Sequence, residues 1–119
     1  MKHEEDLIQK AVCDHLRLRA YPGVVWFHVP NGGRRNAREA ARLKGQGVIP
    51  GVADIILLHD GNFYALELKA LKGRPTESQL VFRDAVNKAG GYSSIAWGLT
   101  NALASLETWG LIRPEARAA

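Results

Sequence analysis

Residues 53–69 decide the fold of this protein and read ADIILLHDGNFYALELK. Two apolar segments flank Asp60-Gly61, a dipeptide that is typical of a tight β-hairpin turn. We therefore predict two antiparallel strands that are joined by a loop of either two or four residues. With both loops the paired positions add up to 121, so Asp54 stands opposite Glu67 on one face of the sheet, with Cβ atoms about 5 Å apart.

Two carboxylates that face each other on an apolar sheet repel, and this arrangement is destabilising by itself. A divalent cation removes the repulsion, and Mg²⁺ or Mn²⁺ suits oxygen ligands and also binds substrate phosphate. Lys69 follows Glu67 by two positions and therefore shares its face of the sheet. The alternative interpretation is a polar stripe at the end of a strand, with Asp54 capping a loop.

The rest of the chain predicts an α/β domain in which a mixed sheet is flanked by helices. Apolar residues recur at helical spacing in the first segment, and β-branched and aromatic residues mark the strands. Thr76 is expected to cap the helix after the hairpin, with Gln79 in its second turn. One domain over residues 1–119 is the expectation for this length. The predicted helices are 3–20, 36–43, 77–88 and 100–108, and the predicted strands are 24–29, 53–58, 63–70 and 92–97.

A net charge of +4 is concentrated between residues 28 and 50, where five basic side chains accompany one acid, Glu39. Outside this segment the acidic and basic residues balance. Such a concentration of positive charge indicates contact with the phosphates of nucleic acid, whereas the alternative is a solvated helix face. The five basic residues are Arg34, Arg35, Arg38, Arg42 and Lys44.

The sequence offers no segment for a membrane or for secretion. Its apolar runs are far shorter than the roughly 20 residues that a membrane span needs, and residues 1–6 are charged rather than apolar. The single cysteine, Cys13, has no partner for an internal disulfide. We therefore expect a cytoplasmic protein without a membrane partner.

The first helix offers a candidate for a third acid beside the predicted pair. On a helical wheel Glu5 shares the core-facing arc with Gln9, and Glu4 lies beside Ile8 in the wider arc. Periodicity does not choose between the two glutamates. Either one is equally consistent with a solvated acid that favours the dipole at a helix N-terminus.

Several motifs occur in one order along the chain. They are Glu5 with Gln9 in the first helix, residues 28–35 (HVPNGGRR), residues 51–54 (GVAD), residues 67–69 (ELK) and Gln79. This order and spacing resemble the PD-(D/E)XK nuclease superfamily, and more narrowly its VRR-NUC branch in the small stand-alone form found in phages and bacteria. The resemblance covers nearly the whole chain. It departs from the family at Ala53, where proline is frequent, although alanine can hold the same extended backbone.

The resemblance implies a restriction-endonuclease-like core that binds a divalent metal ion, Mg²⁺ or Mn²⁺. Asp54 and Glu67 would hold this ion together with the Leu68 carbonyl. Glu5, at the matching position of the first helix, would complete the acidic cluster directly or through water. The expected contacts to nucleic acid are Asn31, Arg34, Arg35, Arg38, Arg42 and Lys44.

The activity that the resemblance implies is endonucleolytic hydrolysis of DNA phosphodiester bonds. Lys69 would orient or activate the attacking water and stabilise charge on the phosphate, while Gln79 supports the site from the following helix. The stand-alone nucleases that it resembles form symmetric dimers, so we expect a homodimer that nicks four-way junctions or other branched DNA. The alternatives are a non-catalytic nucleic-acid-binding module and an RNA-directed nuclease on the same fold. The interface is expected along a sheet edge or at the apolar residues Trp97, Leu99, Leu103, Leu106 and Trp109.

Overall fold

The computed structural model describes residues 2–30 and 36–115, with the backbone alone for Lys2. These residues form α1 (Lys2–Arg19), β1 (Val25–His28), α2 (Ala37–Gly45), β2 (Ile55–His59), β3 (Asn62–Lys69), α3 (Glu77–Lys88), β4 (Tyr92–Trp97) and α4 (Gly98–Thr108). The order is the predicted one, and most bounds shift by one or two residues. Gln79 lies in the first turn of α3 rather than in the second. No helix in the described ranges is both long and apolar enough to span a membrane.

The strands form one mixed sheet in the order β1-β2-β3-β4, which confirms the predicted α/β class. β2 is antiparallel to both of its neighbours, whereas β3 and β4 are parallel because α3 crosses over between them. Asp60 and Gly61 both have positive φ angles, 51° and 77°, as a two-residue hairpin turn of type I′ requires. Ile55 pairs with Leu66, so the register in which paired positions add up to 121 is confirmed.

Each face of the sheet has its own apolar cluster. α1 and α4 cover one face, where Leu16, Leu57 and Leu66 are almost completely buried. On the opposite face α3 places Phe82 against a smaller cluster that contains Ile56. The sheet is therefore sandwiched between helices, with the larger core on the side of α1 and α4.

The part of the α3 face that belongs to β1 and β2 is left open. Val25 pairs with Leu58 and Phe27 pairs with Ile56, so these side chains share the face on which α3 packs. Val25, Phe27 and Leu58 are 58%, 47% and 41% exposed. Large apolar side chains that are exposed side by side mark an interaction surface. We call these three residues the apolar strip.

The apolar residues near the C-terminus serve the core of their own chain, and for Leu106 this contradicts the expected role in an interface. Leu106 is completely buried in the core of its own chain. Leu99, Leu103 and Trp109 are partly buried and pack against that core. Trp97 donates a hydrogen bond from Nε1 to a backbone carbonyl in the loop after β3, at 2.8 Å. α4 therefore uses its apolar residues to close the α1 side of the sheet.

The free edge of β4 is occupied by side chains from the same chain. Asn87 accepts a hydrogen bond from the Ser93 N–H at 2.7 Å and donates one to the Ser93 carbonyl at 3.1 Å. Asn101 donates to the Trp97 carbonyl at 2.8 Å. These bonds use backbone groups that a further strand would need. The β4 edge is therefore protected against pairing with another chain.

Candidate metal centre

Asp54 is held just before β2 by hydrogen bonds to its backbone and to its side chain. Its carbonyl accepts from the Val29 N–H and from His28 Nδ1, both at 2.8 Å. Its carboxylate Oδ2 accepts from the Leu68 N–H, also at 2.8 Å. Asp54 is therefore fixed between the end of β1 and β3, and its carboxylate is directed towards β3.

Glu67 lies in β3 and is only 5% exposed, so its carboxylate is almost wholly removed from water. Oε2 accepts a hydrogen bond from Gln79 Nε2 at 3.0 Å and lies 3.7 Å from Lys69 Nζ. Oε1 is buried and has no hydrogen-bond partner within the described parts of the chain. A buried carboxylate oxygen in this state is costly unless a proton or a cation lies beside it.

The carboxyl groups of Asp54 and Glu67 compete for one proton. Burial, and after it the charge of Asp54, raises the pKa of Glu67 from 4.5 to about 8. Burial also raises the pKa of Asp54, although the hydrogen bond from the Leu68 N–H acts in the opposite direction. The two groups are within hydrogen-bonding reach of each other. Without a cation, the pair therefore keeps a proton at neutral pH.

A divalent cation fits the same pair and would remove the need for that proton. The donor set consists of oxygen atoms, which Mg²⁺ and Mn²⁺ prefer, and the buried Oε1 of Glu67 has a lone pair free for such an ion. Lys69 completes the inner group of charges, since its side chain is also buried and carries an ammonium group towards Glu67. The hairpin register thus brings two acids and one lysine together, with Glu67 and Lys69 buried and Asp54 partly buried.

Glu5, rather than Glu4, faces the carboxylate pair. Glu5 is half-buried, and its charge contributes to raising the pKa of both Asp54 and Glu67. Glu4 is exposed and lines an apolar pocket beside the start of α4. Within residues 2–30 and 36–115, no three His, Cys, Asp or Glu side chains are grouped closely enough to hold one metal ion. Glu5 therefore stands outside the inner pair.

The start of α3 is locked against the site by a capping box and by a glycine. The Thr76 hydroxyl accepts from the Gln79 N–H at 3.2 Å, and Gln79 Oε1 accepts from the Thr76 N–H at 2.8 Å. Gln79 Nε2 is thereby left free to reach Glu67. Gly51 has a φ of 81°, and a Cβ there would overlap the Ser78 carbonyl and lie 2.7 Å from the Gln79 nitrogen. Glycine therefore lets the loop before Asp54 pack directly on α3.

Two solved structures share this arrangement of helices and strands, whereas no family model and no curated protein matches the sequence. One, named "VRR_NUC domain protein", has a TM-score of 0.72 and 21% identity over 89% of this chain and 87% of that chain. Another, named "VRR_NUC domain", has a TM-score of 0.60 and 17% identity over 89% of this chain and 97% of that chain. The chain has the VRR-NUC fold. The restriction-endonuclease-like core expected from the sequence is thereby confirmed.

In the VRR-NUC fold of this chain, the basic residues expected at nucleic acid lie on a separate element. Arg38, Arg42 and Lys44 are exposed on α2, in the segment that joins β1 to β2. The other three expected contacts fall in residues 31–35, outside the described residues: Asn31, Arg34 and Arg35. The metal centre and the basic helix are therefore built from different parts of the VRR-NUC fold.

His28 is a site residue that the sequence reasoning missed. Its side chain is exposed, and Nδ1 of its ring donates a hydrogen bond to the carbonyl of Asp54 at 2.8 Å. The signal that could have found it is the strand pairing, because His28 lies opposite Ile55, the residue that follows Asp54. His28, the last residue of β1 in this VRR-NUC fold, is therefore brought next to Asp54, the predicted metal ligand.

Proposed function

We propose that this protein is a metal-dependent nuclease that hydrolyses phosphodiester bonds in DNA. The observation that carries the proposal is the pairing of Asp54 with the buried Glu67, whose Oε1 has no hydrogen-bond partner among the described residues, beside the buried ammonium group of Lys69. A purely structural ion pair satisfies all of its buried oxygens, because leaving one without a partner is costly. The fold shared with structures named VRR_NUC supports the same function.

The proposed metal ion is Mg²⁺ or Mn²⁺, held by the carboxylates of Asp54 and Glu67. The Leu68 carbonyl is a further proposed ligand, in keeping with the family resemblance. Glu5 is proposed to act through water, since it lies outside the inner pair. When held there, the ion would supply Lewis-acid polarisation of the phosphate and would lower the pKa of a bound water.

The side chains around the ion have separate proposed roles. Lys69 donates hydrogen bonds to the attacking water and stabilises the negative charge that develops on the phosphate in the transition state. Gln79 donates a hydrogen bond to Oε2 of Glu67, which would leave Oε1 available to hold the ion. His28 holds the backbone of Asp54 from the opposite strand. Together they keep the site rigid, as catalysis by positioning requires.

DNA is the proposed substrate, and α2 supports this through its three exposed cations, Arg38, Arg42 and Lys44. These side chains are proposed to bind phosphates, and Asn31, Arg34 and Arg35 are assigned to the same surface. One chain supplies one metal centre, which cuts one strand at a time. We therefore propose that two copies act on branched DNA such as a four-way junction, where two strands need to be cut.

The proposed homodimer uses the apolar strip as its interface. Phe82 packs against the smaller apolar cluster on the α3 face of the sheet, the cluster that contains Ile56. It also lines an apolar groove of about 720 Å³ together with Ile49 and Val81. Neither the strip nor the groove contains a basic residue, so both suit a second copy of the chain rather than a polyanion. A two-fold contact here would cover the part of the sheet that α3 leaves open.

Light scattering tests the assembly. The wild type is expected at twice the chain mass of 13.1 kDa, whereas Phe27→Asp should give the mass of one chain. Leu18→Asp is the matched control, because Leu18 is an exposed leucine on α1, away from the strip, and should leave the dimer intact. A wild type of one chain mass at micromolar concentration would contradict the dimer and the paired incision.

A cleavage panel tests the activity. Labelled duplexes, flaps, nicked duplexes and four-way junctions are incubated with Mg²⁺, with Mn²⁺ or with EDTA, and Lys69→Met serves as the comparison. We expect metal-dependent cleavage by the wild type, strongest on a branched substrate, and its loss in the variant. DNA binding without cleavage in both metals would instead favour the non-catalytic module. Cleavage of RNA in preference to DNA would identify RNA as the substrate and contradict the assignment of DNA.

A further inference from the structure

Helix α2 stands apart from the rest of the protein. None of its residues is buried, and it is not among the helices that pack on the sheet. It has nine residues, whereas an isolated helix shorter than about 12–15 residues is marginal in water. Its N-cap bond, from the Glu39 N–H to Asn36 Oδ1 at 2.7 Å, satisfies one backbone donor but provides no packing surface. The helix therefore needs a partner surface to be fully formed.

The side chains of α2 indicate the chemistry of that partner. Arg38 and Arg42 are four positions apart and so lie on the same side of the helix. Lys44 adds a third cation, and Glu39 is the single acid of the helix. An extended array of negative charge, such as a phosphate backbone, is complementary to this surface. The apolar strip carries no charge and is therefore not complementary to this surface.

The segment that carries α2 joins the metal centre at both ends. Before the helix, the Val29 N–H binds the carbonyl of Asp54 at 2.8 Å. After the helix, Gly51 lies against the first turn of α3, where Gln79 binds Glu67. A nucleic acid bound by α2 is therefore held by a segment whose two ends are attached to the proposed catalytic residues.

We propose that α2 is incompletely formed in the free protein and folds on duplex DNA, where Arg38 and Arg42 bind phosphates of the backbone. This inference rests on the proposed function, because it takes DNA as the partner. The free-energy cost of ordering the helix then lowers the net affinity for DNA. The helix propensity of α2 should therefore set the affinity for DNA and leave the stability of the free protein unchanged.

Glycine substitutions separate these two effects. Ala40→Gly and Ala41→Gly change no charge at exposed positions, and each should weaken DNA binding about fivefold, the equivalent of about 1 kcal/mol. The double variant should lose on the order of 25-fold, because helix propensities add up along the helix. Ala104→Gly, at an exposed position of α4, is the control: it should lower the stability of the free protein and leave DNA affinity unchanged. Affinity is measured by fluorescence anisotropy in EDTA, so that cleavage does not contribute.

Hydrogen exchange of the amides in α2 provides the second readout. We expect fast exchange in the free protein and protection when duplex DNA is added. Protection in the free protein at low concentration would overturn the proposal, as would glycine variants that bind DNA like the wild type. Protection that grows with protein concentration in the absence of DNA would assign the partner to a second copy instead. A protein that orders α2 on DNA but cuts no substrate would refute the nuclease and not this inference.

Discussion

Replacing Glu67 by glutamine should make the stability of the metal-free protein much less dependent on pH. The pKa of Glu67 is raised from 4.5 to about 8 in the folded protein. A group with a raised folded pKa binds more protons in the folded state, so its favourable contribution is complete below about pH 4.5 and is lost as the pH rises through about 8. The wild type should therefore become less stable across this range. Because glutamine cannot ionise, the Glu67→Gln variant should not lose this stability as the pH rises.

The size of the effect follows from the two pKa values. A change from 4.5 to about 8 corresponds to a loss on the order of 5 kcal/mol at alkaline pH, as an upper limit. Because Asp54 shares the proton, we expect a loss of about 2–4 kcal/mol, which is a large fraction of the roughly 5–15 kcal/mol that stabilises a typical domain. Glutamine also preserves the packing, since its carbonyl can accept from Gln79 and its amide can donate to Asp54.

Urea unfolding in EDTA, followed by tryptophan fluorescence from about pH 5 to pH 9, measures this dependence. Glu77→Gln, which neutralises an exposed glutamate of α3, is the matched control and should follow the wild type. Adding Mn²⁺ at alkaline pH should restore stability to the wild type and have a much smaller effect on Glu67→Gln. Equal slopes for wild type and Glu67→Gln in EDTA would refute the buried, proton-sharing pair.

Three further predictions concern the loop, the lysine and the basic helix. Gly51→Ala should lower both thermal stability and the cleavage rate, because the added Cβ would overlap the backbone of α3. Gly47→Ala is the control: Gly47 has a φ of 95° but open space around it, so this variant should show only the cost of backbone strain. Equal losses in the two variants would contradict this reading of the loop. Lys69→Met should slow single-turnover cleavage by about 100-fold or more, with DNA affinity in EDTA retained, and a wild-type rate would remove its assigned role. Arg38→Gln and Arg42→Gln should each reduce the salt dependence of DNA binding by about one unit of slope, and an unchanged slope would place the phosphates elsewhere.

The hairpin that carries the candidate site is determined by local sequence. Asp60-Gly61 favours a turn with positive φ at both positions, and such a turn fixes which residues face each other along the two strands. Residues 55–58 are apolar on both faces, so the apolar pattern alone does not exclude a shift of one residue, and the turn is what selects the register. The meeting of Asp54 and Glu67 follows from that register. α3 is equally local, because Thr76 and Gln79 form its capping box.

The tertiary structure decided everything that depends on where one element lies relative to another. Helical periodicity places Glu4 and Glu5 in the same wide arc, and the packing of α1 against β3 and α4 brings Glu5 to the pair. Leu106 looks like an interface residue in the sequence and is buried in the structure, because a pattern of apolar residues does not state which surface covers them. His28 became part of the site through the pairing of β1 with β2. Turn chemistry and strand register act between neighbours in the chain, whereas these contacts join residues far apart in sequence and follow from packing.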